Sequence, residues 1–120
     1  MHVLPAFALL GACVALGVLL LVQYFRRVRS KPVHVGVHLI LGVAGLEGLV
    51  TLFRGTPDGT LMPAGTLGNA AGLLLLLAVM SGLASPMIAR RWPRRVGSAA
   101  LVTHAGVGAA GFVLFLAWAL

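Results

Sequence analysis

His38 and His104 are the residues of this chain best equipped for chemistry. Each opens the same spaced pattern, His-x-x-x-Gly-x-x-Gly: Gly42 and Gly45 follow the first histidine, Gly108 and Gly111 the second. A neutral imidazole offers one ring nitrogen to a metal and donates a hydrogen bond from the other. On a helix, a glycine four or seven positions later stays within roughly 40° of its histidine, so each ring ends a stripe free of side chains. Such a stripe admits a flat ligand or a second helix close to the backbone. Glu47 stands nine residues beyond His38, a rotation of about 900° that turns it away from the histidine face. Met80 and Met87 carry potential axial sulfurs, although methionine most often fills gaps in cores. Cys13 is the one cysteine, and there is no Ser-His-Asp set, phosphate loop or carboxylate pair. Hydrolytic and nucleotide chemistry therefore have no residues to carry them.

The elements that must position these residues are legible in the composition. Of 120 residues, 60% are apolar and 9% charged, with a mean hydropathy of +1.06. Soluble domains carry about 25% charged residues, so this composition excludes a soluble enzyme and points to an integral membrane protein. A membrane-crossing helix needs about 20 apolar residues, and four spans fit, at about 3–25, 33–53, 67–89 and 97–119. The uninterrupted apolar runs lack the alternation of barrel strands, which leaves helices. The expected fold is an all-α, single-domain four-helix bundle over residues 1–120. Leu10-Gly11-Ala12-Cys13 loosely mimics a lipoprotein cleavage box, but no basic segment precedes it and the apolar run continues to Val22, so the first segment is expected to be a span.

Nine Lys and Arg against Asp58 and Glu47 give a net charge of +7. Eight of the nine bases fall in two clusters, Arg26, Arg27, Arg29 and Lys31, then Arg90, Arg91, Arg94 and Arg95. Both clusters lie in odd-numbered loops. Basic loops stay on the cytoplasmic side, so the chain is expected in the cell membrane with both termini outside, and the charge no longer argues for nucleic acid. Tyr24, Phe25, Trp92 and Trp118 fall at the expected interfaces. Pro32 suits the first turn of helix 2, while Pro86 is expected to kink helix 3 or end it near Ser85.

The two histidine patterns sit in helices 2 and 4, each after a basic loop with a proline, so the chain reads as two parallel-repeated helical hairpins. His38 follows Lys31 by seven residues and His104 follows Arg95 by nine. Both imidazoles then lie roughly 10 to 14 Å from the inner interface. Level imidazoles on diagonal helices can share one metal. A porphyrin accounts for the glycines as well, since its macrocycle needs close backbone, and its iron accepts axial histidines. Its propionates would face the basic loops, where Arg27, Arg29, Arg94 and Arg95 are candidates. His2 has no visible partner. His34 lies at the interface, where a propionate, a lipid phosphate or water would serve equally.

On four spans plus His38, Gly42, Gly45, His104, Gly108 and Gly111, the sequence resembles the small four-helix membrane b-type cytochromes, the cytochrome b561-like group. That resemblance implies one haem b held by His38 and His104, and electron exchange with a quinone or a membrane redox-complex subunit. The larger members hold two haems with four histidines, whereas only one well-placed pair occurs here. The chain would be an electron carrier rather than a self-contained catalyst. Two other readings stand beside it. One is a small proton-coupled transporter or channel, working as a homo-oligomer through Glu47; the other is a non-redox accessory subunit of a membrane complex. Intramembrane histidines also serve simply as hydrogen-bond partners between helices.

Overall fold

The computed structural model describes residues 2–120, which are helical except at the termini and in three loops. Four helices follow in order: α1 (Leu4–Phe25), α2 (Pro32–Arg54), α3 (Gly65–Arg91) and α4 (Arg94–Ala119). Each is long and apolar enough to cross a membrane. The bundle is 48 Å long, which exceeds the roughly 30 Å of a hydrocarbon core.

The helix ends follow local chemistry. Pro32 occupies the first turn of α2, where its missing N–H leaves nothing unsatisfied. Gly55, at φ 101°, ends that helix. Trp92 is extended because Pro93 follows it, and α4 starts immediately after, at Arg94 rather than at the expected 97. Pro86 does not end α3. The helix runs through it to Arg91, and Ser85 Oγ donates to Ser81 O at 2.7 Å just ahead of the proline. The carbonyl that loses its intrahelical partner to the proline is that of Gly82, four residues earlier, and such a break is tolerated in a helix packed against its neighbours.

The helices pack as two close hairpins, α1 on α2 and α3 on α4, with looser contacts between α2 and α3 and between α1 and α4. Helices α2 and α4 are therefore diagonal, and they run in the same direction. Equivalent glycines set both hairpin interfaces: a Cβ on Gly45 would lie 2.6 Å from Leu10 Cδ2, and one on Gly111 3.1 Å from Leu75 Cγ. Such close approach brings many atoms of the paired helices within dispersion contact.

The core lies at one end of the bundle, the end that carries both termini. Ala6, Leu10, Leu49, Leu52, Ala71, Leu75 and Phe115 are buried there. Phe115 and Leu49 are fully enclosed. Phe115 stacks with Phe112, and Phe53 meets Trp118 edge to face at 5.2 Å. Trp118 Nε1 donates to Pro63 O at 3.0 Å, tying α4 to the loop before α3. In the same region the loop before α3 folds around Asp58, which accepts from Thr56 Oγ1 and from the Thr60 N–H.

Candidate functional site

The other half of the bundle, toward the basic loops, is hollow. A cavity of about 540 Å³ lies between the two hairpins and is lined almost wholly by apolar side chains, with both His38 and His104 in its wall. That volume falls within the roughly 300–1,000 Å³ of ligand and cofactor sites.

The two imidazoles meet across this space. Their ring centroids are 6.0 Å apart and the rings are perpendicular, at 89°. His38 Nδ1 lies 2.9 Å from the carbonyl oxygen of Cys13 on α1, and His104 Nδ1 lies 2.8 Å from that of Ala78 on α3. A carbonyl only accepts, so each Nδ1 carries the proton and each Nε2 keeps its lone pair. Neither Nε2 makes a hydrogen bond among the described residues. This is the arrangement in which metal-bound histidines are held, with the remote nitrogen fixed by a carbonyl and the other left to coordinate.

Each hairpin supports its ring in an equivalent way. Gly17 and Gly82 stand one turn beyond Cys13 and Ala78, and a Cβ there would lie 2.8 Å from His38 Cε1 and 2.9 Å from His104 Cε1. Each imidazole thus lies against bare backbone of the partner helix in its hairpin. The flanks differ. The Cys13 thiol donates to His38 O at 3.3 Å, making a reciprocal clamp with the His38 Nδ1–H bond. On the other side Ser81 Oγ donates to Ala78 O at 3.1 Å and lies 3.1 Å from His104 Nδ1.

The glycines of the repeated pattern divide between two tasks. Gly42 and Gly108 line the cavity and also sit against Cys13 and Ala78. Gly45 and Gly111 lie outside the cavity wall, in the hairpin interfaces against Leu10 and Leu75. The bare backbone nearest the rings therefore belongs to Gly17 and Gly82, which sequence reasoning missed. A signal for them existed, because a small residue followed four positions later by glycine recurs in α1 and α3 just as the histidine pattern recurs in α2 and α4.

Other singled-out residues lie elsewhere. Glu47 is exposed on the outward face of α2, and Met80 and Met87 are exposed on α3, none of them in the cavity wall. His34 does not line the cavity, and its Nδ1 is buried without a partner. His2 is 3.9 Å from Asp58, at the opposite end of the bundle. Tyr24, expected only as an interfacial anchor, bridges the hairpins at the floor of the cavity: its hydroxyl is 3.0 Å from Ser98 Oγ.

Among the described residues no group of three or more His, Cys, Asp or Glu gathers closely enough to hold a bare metal ion. Two imidazoles, each with Nε2 free of hydrogen bonds, would instead suit an ion whose remaining positions are filled by a macrocycle. If both rings were to hold one ion with bonds of about 2.0 Å, their centroids would lie roughly 6 Å apart. The observed separation fits that distance. The chain matches no protein-family model, no curated protein and no solved structure, so the functional reading rests on this geometry.

Proposed function

We propose that this protein is a membrane electron carrier, or the electron-carrying subunit of a membrane redox complex, that binds one haem b through Nε2 of His38 and His104. The observation that carries the reading is the pair of imidazoles on diagonal helices, each with Nδ1 tied to a carbonyl of its hairpin partner and with ring centroids 6.0 Å apart in an apolar cavity. When bound, the haem supplies a one-electron couple between ferric and ferrous iron.

The chain's own residues supply the rest. The bonds to Cys13 O and Ala78 O fix the tautomer and the orientation of both rings and raise their basicity as ligands. The apolar walls exclude water, which together with ligand identity tunes the potential. The tightly packed far half of the bundle holds the hairpins in register. The likeness of four spans and one histidine pair to the cytochrome b561-like group supports the same reading. We orient the basic loops toward the cytoplasm and both termini outside, on the rule that Lys and Arg stay with the inner face. A quinone or a membrane-embedded redox subunit is the partner class that such a carrier serves. Glu47 faces away from the cavity, which favours electron transfer over a proton path through the bundle.

The test is a visible spectrum of the purified protein before and after dithionite. A low-spin b-type spectrum is expected, lost in His38→Ala and in His104→Ala. A protein that is colourless and takes up no added haemin, or that keeps its haem after both substitutions, would overturn the proposal.

A further inference from the structure

Below the histidines the cavity reaches a second space, a cleft of about 320 Å³ lined by Tyr24, Arg27, Val28, Arg29, Ser30 and Arg94. Tyr24 and Ser30 border both spaces, so the apolar cavity adjoins at one end a cleft lined by three arginines. Among the described residues none of these arginines has a carboxylate partner, the one ion pair being His2 with Asp58 at the far end. Arg94 is held in place: it lies 4.6 Å over the Tyr24 ring, and its Nη2 donates to Tyr24 O at 3.2 Å.

Arg27 adopts a backbone conformation that its side chain disfavours. Its φ is 58°, and among the described residues it is the one non-glycine with positive φ. It stands just past the end of α1, where Val28 N–H bonds to Gln23 O at 2.9 Å and Arg27 N–H to Tyr24 O at 3.1 Å. This closing turn is the place where glycine is the usual occupant, because a Cβ clashes in the left-handed region. A helix cap alone would be better served by glycine. The arginine that stands there instead is one of the residues lining the cleft.

We propose that Arg27, Arg29 and Arg94 form the seat for the paired carboxylates at the edge of the haem, and that the unfavourable backbone at Arg27 is kept for that contact. The proposal rests on the haem reading above. Its chemistry, an anionic edge on an apolar body, is shared by an anionic phospholipid, so the experiment separates the two.

Full-length apoprotein in a neutral detergent is titrated with haemin and with haemin dimethyl ester, whose carboxylates carry no charge. Arg27→Gly is expected to weaken haemin binding about tenfold, the loss of one charge-assisted contact, and to leave ester binding unchanged. Its apo form is expected to unfold at or above the wild-type temperature, since glycine suits the cap. Arg27→Lys should keep most of the haemin affinity, and Arg94→Gln should repeat the split between haemin and ester. Equal haemin affinity in wild type and Arg27→Gly, or equal losses with haemin and ester, overturns the seat while leaving the histidine ligation standing. Loss of the Arg27 effect on adding phosphatidylglycerol, with wild-type affinity falling to that of Arg27→Gly, marks the cleft as a lipid site and also overturns it. Failure of both haemin and its ester to bind wild type overturns the histidine ligation itself.

Discussion

The two halves of this bundle are built from the same four helices and the same repeated hairpin, yet one is filled and the other is hollow. Toward the termini, Leu49, Leu52, Ala71 and Phe115 are buried in one apolar cluster, with Leu10 and Leu75 at its boundary with the cavity. Toward the basic loops, the facing positions are Gly17, Gly82, Ala78, Gly42 and Gly108, and the space between them remains. Protein interiors are normally close-packed, and an unfilled volume forfeits the contacts its lining would make. The packed half can hold the pairing of the hairpins without help from the hollow one. The hollow half is thereby free to keep small residues, and to aim two imidazoles into space rather than into each other's hydrogen bonds.

The contrast can be broken most severely in the packed half. Phe115→Ala removes a fully enclosed ring and should destabilise the bundle by about 3 kcal/mol, read as a lowered unfolding temperature of the apoprotein in detergent. An equal loss on trimming an apolar side chain of the cavity wall, such as Leu39→Ala, would show that the halves do not differ in this way.

Glycines sharpen the comparison at smaller scale. Gly45→Ala drives a methyl into Leu10, including a 3.3 Å approach to its backbone nitrogen. That position cannot relax, so destabilisation of about 1–3 kcal/mol is expected. Gly17→Ala and Gly82→Ala push instead on His38 and His104, which can swing into the open cavity at the cost of their Nδ1–H bonds. These two variants should change apo stability by less than about 1 kcal/mol and, on the proposed histidine ligation, weaken haemin binding about tenfold, the loss typical of a disturbed outer-shell partner. Calorimetry or thermal melting together with haemin titration gives both numbers. Stability losses as large as that of Gly45→Ala, with haemin affinity intact, would reverse the assignment.

The smallest effect lies outside the helices. Hydrogen bonds from the Thr56 hydroxyl, then the Thr60 N–H and hydroxyl, hold the Asp58 carboxyl below its ordinary value, at about 2. A depressed carboxylate adds stability above its ordinary pKa of about 3.8, and loses that contribution as pH falls toward 2. The loop before α3 should therefore keep its amide protection through neutral and mildly acid pH and lose it between about pH 4 and 2. Asp58→Asn should flatten that dependence without touching the cavity.

Much of this was legible before any coordinates. Helical rise placed His38 and His104 at one depth, and they do face each other. The glycine stripes were legible as close approach, but not as approach to what. Gly45 and Gly111 meet Leu10 and Leu75, not the cavity, because a stripe records that something comes near and not which neighbour does. Gly17, Gly82 and Ser81 carry no charge and no rare side chain, so the small-residue spacing in α1 and α3 marked close approach there without saying that a histidine on another helix is what approaches. Arg27 stood out from its cluster only through its φ, a backbone property that no spacing reveals.

By itself the sequence determined four apolar helices, the two basic loops at one end, and two histidines level with each other in a repeated hairpin. These follow from residue type and the fixed rise of a helix, which are local properties. Only the tertiary structure decided which half is filled, which carbonyls hold the imidazoles, and which of the four candidate arginines line the cleft. Those depend on how the two hairpins are rotated and tilted against each other, and that geometry is set by contacts between residues far apart in the chain.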